Sequence, residues 1–245
     1  MKRTIGLGGA VALGLTVLMG SAPALAAETA TIHAPSGFLP KPVSDTRATG
    51  HYEVAGTGLH IWTEGSTSTD KVAEYVATDT PLADAGEPSL EYTATNGGTP
   101  GYQLIVDFDG NGSGDGILVG ETVYGNDWWA SNGSAQFVKD AAPSHDGGSG
   151  SANHGTLDQW REAFPTAKVQ AFGFSLGSGV KGDGVLDAIN FGGERYTFAS
   201  DVVLTSKDEC KDGGWATSYP TTFKNQGECV TFFAKLTPKQ LAKLK

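Results

Sequence analysis

Between residues 50 and 199 the chain is broken at short intervals by Gly, Asn, Asp or Pro, and most of the pieces between the breaks are too short for helices. They are rich in Val, Ile, Tyr, Phe, Trp and Thr, and several alternate apolar with polar residues, as in LHIWTE and QLIVDFD. A period of two in β-branched and aromatic residues is the pattern of a strand with one face buried, and many such strands joined by turns suit two stacked sheets. Strands are expected at 50–54, 59–64, 72–78, 89–95, 102–107, 117–124, 127–130, 135–138, 168–176, 185–191 and 196–199. The expected fold is mainly β, an antiparallel β-sandwich of jelly-roll-like type with one or two short helices. One helix starts at the capping box Thr156-Leu-Asp-Gln159, carries the stripe Leu157, Trp160 and Phe164, and stops at Pro165. The other starts at Thr237-Pro-Lys-Gln240, with Leu236 and Leu241 placed as a hydrophobic staple.

The ends divide the chain further. Residues 1–26 read as a signal peptide: MKR is the positive start, TIGLGGAVALGLTVLMG the apolar run, and Ala24-Leu25-Ala26 the small-residue cleavage site. That run is too short and glycine-rich for a full span, so no transmembrane anchor is expected and the location is secreted, extracellular. Residues 27–48 hold three prolines without periodicity and read as an extended N-terminal arm. Residues 49–205 form the β-sandwich domain, and residues 206–245 a C-terminal element with a terminal helix. Its two cysteines, Cys210 and Cys229, are the only ones in the chain, and outside the cell a disulfide is their default state.

Charge narrows the partners. The net charge is −10, and residues 27–205 carry 8 Lys and Arg against 23 Asp and Glu. So acidic a body repels phosphate backbones, which excludes nucleic acid as a partner class. The last 40 residues reverse the balance with 7 lysines against 4 acids, a basic stretch that is either solvated or in contact with an anionic envelope polymer.

The strongest chemical signal is the run Asp107-Phe-Asp-Gly-Asn-Gly-Ser-Gly-Asp-Gly116. Asp107, Asp109, Asn111, Ser113 and Asp115 place oxygen side chains at alternate positions, with glycines that let the backbone curl around a hard cation. Leu118 stands where an EF-hand would place its bidentate glutamate, and both flanks read as strands. The expectation is a β-hairpin site for Ca²⁺, with an ordinary acidic turn as its alternative. Glu121 is a further acid whose direction the sequence leaves open.

Two apparent catalytic signals fail on inspection. Gly173-Phe-Ser-Leu-Gly177 has the spacing of a nucleophile elbow, but four glycines crowd the nine residues after Ser175, where the elbow needs a helix. All five histidines, at 33, 51, 60, 145 and 154, precede that serine, and they show no zinc-ligand spacing. The acids of residues 107–115 lack the apolar surroundings that would raise one carboxyl for glycoside cleavage. No enzyme is expected. Asn126-Asp-Trp-Trp129 offers a candidate binding surface instead. Adjacent strand residues face opposite sides, so one of Trp128 and Trp129 is expected to be buried and the other either exposed, where it would suit a sugar ring beside Asn126 and Asp127, or covered by a loop. The alternative is that both lie in the core or under residues 143–155. His60 and Trp62 share a face in the same way. The glycine-rich stretch 143–155 is a long loop next to these residues.

Cys210-Lys-Asp-Gly-Gly-Trp215 followed by Phe223-Lys-Asn-Gln-Gly-Glu-Cys229 resembles a two-cysteine element found near the ends of secreted proteins of high-GC Gram-positive bacteria. The blocks GLHIWTE, DWWASNGSAQFV and GTLDQWREAFP are similar to the same group, in which no activity is attached to the element. Gly173 to Gly193, with Asp187-Ala-Ile189 within it, resembles the closing strands of jelly-roll, galactose-binding-like modules. The resemblance implies an exported protein with a jelly-roll-like sandwich. The expectation is an exported, non-catalytic binding or envelope-associated module, for an extracellular glycan or envelope polymer, with a calcium loop. The alternatives are a secreted hydrolase of polysaccharide or ester, and a surface structural protein with no small ligand.

Overall fold

The computed structural model describes residues 29–244, so the leader expected at 1–26 lies outside the described residues. The fold is a mainly β sandwich of two sheets. The first orders β1 (Thr29–Ala34), β12 (Glu194–Ser200), β11 (Gly182–Phe191), β3 (Gly58–Thr63) and β2 (Gly50–Ala55), and β5 (Ser89–Gly97) also pairs with β11. Along one edge β11 meets β3 through its first half and β12 through its last residues, while β5 runs along the other edge. The second sheet orders β4 (Lys71–Pro81), β10 (Lys168–Gly177), β6 (Gly101–Asp107), β7 (Gly116–Gly120), β8 (Asp127–Ala130) and β9 (His154–Thr156), with β6 to β9 a meander. Every pairing is antiparallel except β1 with β12.

The alternation in β10 sets the core. Phe172, Phe174 and Leu176 point inward and meet Leu104, Leu118, Leu186 and Phe191, all buried. Burying each such side chain stabilises the fold by about 1.5–3 kcal/mol. Ala171, Gly173 and Ser175 occupy the outer face, where a Cβ on Gly173 would lie 2.0 Å from the carbonyl oxygen of Glu74. Only glycine lets β4 approach that closely.

Helix α1 (Gln136–Asp140) replaces the strand expected at 135–138: Gln136 and Lys139 are good helix formers, and one turn buries Val138, which outweighs its own preference for a strand. Helix α2 (Leu157–Ala163) begins at the expected capping box: the N–H of Gln159 donates to Thr156 Oγ1, and the N–H of Thr156 donates to Gln159 Oε1. Its Trp160 is wholly buried and donates from Nε1 to the carbonyl of Trp128 at 3.0 Å, which ties the helix to β8.

Residues 27–48 are more than an arm. Thr29–Ala34 pairs in parallel with β12, a strand whose alternation in TATIHA is hidden by the prolines that follow. The next stretch lies along the edge of β4. Asp45 and Arg47 donate backbone N–H groups to the carbonyls of Ala73 and Lys71, while the hydroxyls of Ser44 and Thr46 accept from the N–H groups of Tyr75 and Ala73. Leu39 packs with Tyr75 and Ala171 on the outer face.

The C-terminal element has its own small core. Helices α3 (Gly214–Thr217), α4 (Gln226–Lys235) and α5 (Pro238–Leu241) gather Trp215, Phe223, Phe233 and Leu241 around the Cys210–Cys229 disulfide. The element meets the sandwich where Val202 bridges Tyr219 and where His33 stacks on Tyr219 at 4.1 Å. Replacing both cysteines with Ser is expected to cost this element about 3 kcal/mol, the chain-entropy value for a loop of this length. Limited proteolysis checks it: cleavage should move into residues 206–244 while the sandwich stays intact, and earlier cleavage within the sandwich would contradict it.

Candidate functional site

Asp107 closes β6, and the hairpin to β7 folds back over its carboxylate. Oδ1 accepts from the N–H groups of Gly110 and Asn111, and Oδ2 from that of Gly112 at 2.8 Å. Gly110 and Gly112 have φ of 77° and 92°, the left-handed region in which glycine turns the backbone toward the carboxylate without strain. Asp115 Oδ2 accepts from the N–H of Phe108 at 2.8 Å, and the Asp109 carboxylate accepts from the backbone and side-chain nitrogens of Asn111. One oxygen from each of Asp107, Asp109 and Asp115 lies within 4.8 Å of the others, with Asp107 buried and Asp109 exposed. Among the described residues no Lys or Arg forms an ion pair with any of them. Asp109, Asp115 and one oxygen of Asp107 keep unused lone pairs, so the cluster could hold a metal ion. Asn111 and Ser113 serve the loop itself: Asn111 Oδ1 accepts from the N–H of Ser113 at 2.8 Å. Glu121 lies beyond the far end of β7 and is not part of the cluster.

The four residues expected to form a sugar platform do not share a surface. Trp128 and Trp129 are both buried, so neither presents an open indole face. Trp128 points inward against Tyr102 and leaves only its margin, together with Asn126, on an inter-sheet cleft. Trp129 points outward as alternation requires, but the 143–155 loop covers it: a Cβ on Gly150 would sit 2.0 Å from the indole. Asp127 is engaged with His154, whose Nδ1 lies 2.7 Å from Asp127 Oδ1 while Nε2 lies 2.8 Å from the Asp146 carbonyl. Both partners only accept, so the ring satisfies both as the imidazolium. The Asp146 carbonyl and the Asp127 carboxylate accordingly raise the His154 pKa above its ordinary 6.5.

The outer face of the first sheet holds a second aromatic group. Trp62 stands between His51 and His60, with ring centroids 5.0 and 4.4 Å away and planes within about 20° of parallel. Burial works against charge on His60, yet its contacts with Asp183 (2.9 Å) and Glu53 (3.2 Å) raise its pKa and favour the cation over the indole face. Beside this row runs an open groove of about 480 Å³, lined by Trp62, Glu64, Asn96, Lys181 and Asp183. The alternation of LHIWTE placed Trp62 outward, but only the antiparallel pairing of β11 with β3 and β5 brings Asp183 and Asn96 to it. Ser175 lies mid-strand, paired with Ala73 on one side and Gly101 on the other, which is not the geometry of an elbow.

No family model, curated protein or solved structure matches this chain.

The His154 contacts give the loop a pH dependence whose sign follows from the raised pKa. Their contribution is complete below 6.5 and is lost as pH rises through the higher folded-state value. Acrylamide quenching of tryptophan fluorescence is expected to increase between about pH 6 and about pH 9 as the loop over Trp129 loosens. Asp127→Asn should flatten that change, and an identical profile in this variant would refute the latch.

Proposed function

We propose that this chain is an exported, non-catalytic binding module whose ligand is a carbohydrate held on the outer face of the first sheet. The observation that carries the reading is the open groove beside Trp62. Its polar groups, Glu64, Asn96, Lys181 and Asp183, the last held by His60 at 2.9 Å, stand around an indole edge, a mixture of apolar ring and hydrogen-bonding groups that suits a polyhydroxylated ring. The acidic body favours a neutral or amine-bearing polysaccharide over an anionic one. Binding rather than turnover is supported by the histidines nearest to carboxylates. His60 and His154 each have both ring nitrogens engaged by acceptors, which leaves neither free as a general base. Export is supported by the charged, apolar and small-residue order of residues 1–26 and by the disulfide. Screening on a glycan array should give saturable binding to a neutral or amino polysaccharide. Trp62→Ala should weaken that binding at least about tenfold, or 1.4 kcal/mol, with the melting temperature nearly unchanged. Binding that survives this substitution would place the site elsewhere.

The acidic hairpin is read as a Ca²⁺ site that stiffens the β6–β7 turn. All-oxygen donors on a flexible glycine loop suit a large hard cation. A cation at ten times its Kd adds about 1.4 kcal/mol of stability. Addition of Ca²⁺ should therefore raise the melting temperature, and Asp109→Ala, which removes the exposed carboxylate, should abolish the gain while barely changing the metal-free protein. No heat of binding at millimolar Ca²⁺ would rule the reading out.

A further inference from the structure

A separate cleft opens where the start of β5 approaches the second sheet, away from both the Trp62 groove and the acidic hairpin. Its volume is about 200 Å³, small for a drug-sized ligand and suited to a headgroup or a single side chain. Pro88, Leu90, Pro100, Tyr102 and Trp128 wall it, and Glu121 is set among them. The position of this carboxyl is built in. A Cβ on Gly101 would lie 3.1 Å from Glu121 Cγ, so the glycine leaves room for the side chain to lie against β6. The indole of Trp128 rests directly on Gly120, where a Cβ would come within 2.8 Å of the ring. Tyr102 is fixed through its hydroxyl, which donates to the carbonyl of Asn190 at 3.2 Å.

Glu121 is partly buried, and among the described residues its carboxyl has neither a hydrogen-bond donor nor a cationic partner. The other acid at the cleft, Glu87, faces Arg161 at 3.3 Å. Burial pushes the Glu121 carboxyl above its usual range. The fold thus favours the protonated acid, and this contribution to stability disappears as pH rises through the raised value. At neutral pH an ionised group in this place lowers stability unless a cation joins it.

We propose that this cleft is a binding site for a primary alkylammonium ion, the charged nitrogen paired with Glu121 and the alkyl chain laid against Pro88, Leu90, Pro100 and the open margin of Trp128. An ammonium ion supplies the donors that the carboxylate lacks, in a charge-assisted contact. A simple metal cation would gain nothing from those apolar walls. A neutral alcohol would fill the space but leave the carboxylate without a counter-charge. The ion can come from a free amine or from a lysine side chain of a partner, which share the same chemistry. The site is independent of the carbohydrate groove, and its failure would leave that reading untouched.

The test is a titration of the full chain, followed by tryptophan fluorescence and by the indole N–H signals in ¹⁵N–¹H spectra. The probes are n-butylammonium, n-butanol and N-acetyl-lysine methylamide. Saturable binding of n-butylammonium is expected, with n-butanol much weaker, and with the largest shift on the signal that Trp128→Phe removes. Glu121→Gln should weaken the ammonium by at least about tenfold and should melt at or above the wild-type temperature. Tighter binding of the lysine derivative than of n-butylammonium assigns a side chain as the natural ligand, and weaker binding assigns a free amine. Equal binding of n-butanol, unchanged affinity in Glu121→Gln, shifts confined to other tryptophans, or no saturable binding would each overturn the proposal. The wild-type shift map decides the matter even if the variant folds poorly.

Discussion

Phe172 lies flat on Phe191, with ring centroids 4.4 Å apart and planes 11° from parallel, and through this contact β10 of one sheet meets β11 of the other. Each of these strands is bonded along both edges, β10 to β4 and β6, β11 to β5 and to β3 with β12. A misplacement of either would shift the neighbours of both. The chain passes from one to the other within residues 178–181, so the two central strands are joined by a tight corner. Gly177, Ser178 and Gly179 all have positive φ there, at 118°, 56° and 110°. The N–H groups of Ser178 and Gly179 donate to the carbonyls of Asp70 and Thr67. Asp70 is itself fixed: Thr49 and Thr67 donate to its carboxylate, which holds its pKa down to about 2. The corner is therefore anchored on the backbone of a residue whose carboxylate is itself held by two threonines.

With the inner faces filled, the outer surfaces are left for recognition, and the two sheets use them differently. The outer face of the first sheet is polar and charged, with His60 between two acids and Arg195 gripping Glu91 at 2.7 Å. The outer face of the second is apolar around Ala73, Tyr75 and Ala171, where Leu39 packs against it. The acidic hairpin, the Trp62 groove and the Glu121 cleft thus sit in three different settings on one scaffold. Function in a sandwich of this kind is a property of such local settings and not of the fold.

The fold class was legible because side-chain alternation is local, and β10 shows it from Phe172 to Gly177, beyond the irregularity between Val169 and Ala171. The helix at Thr156 was legible for the same reason, since its cap lies within four residues. What depended on distant contacts was not legible. Period two correctly separated Trp128 from Trp129, but whether the outward indole meets water depends on Gly150, more than twenty positions away. Residues 135–138 read as a strand because four residues cannot distinguish a period of two from one helical turn. Helix α4 was announced by Asn225 and Glu228, where the Glu228 N–H donates to the Asn225 side chain, but Gly227 beside the cap obscured it. Glu121 was visible as a residue, yet its cleft exists only because β5 comes from the other sheet.

The apolar cluster of the C-terminal element draws all its members from residues 204–244, and its covalent closure lies within the same stretch. The demands on what precedes it are slight: one bridge at Val202 and a ring for Tyr219 to lie against. A unit that brings its own interior can be joined to a new neighbour by recombination without any rebuilding of that neighbour's core. Such economy is the physical condition for a short terminal segment to be inherited independently of the body it follows.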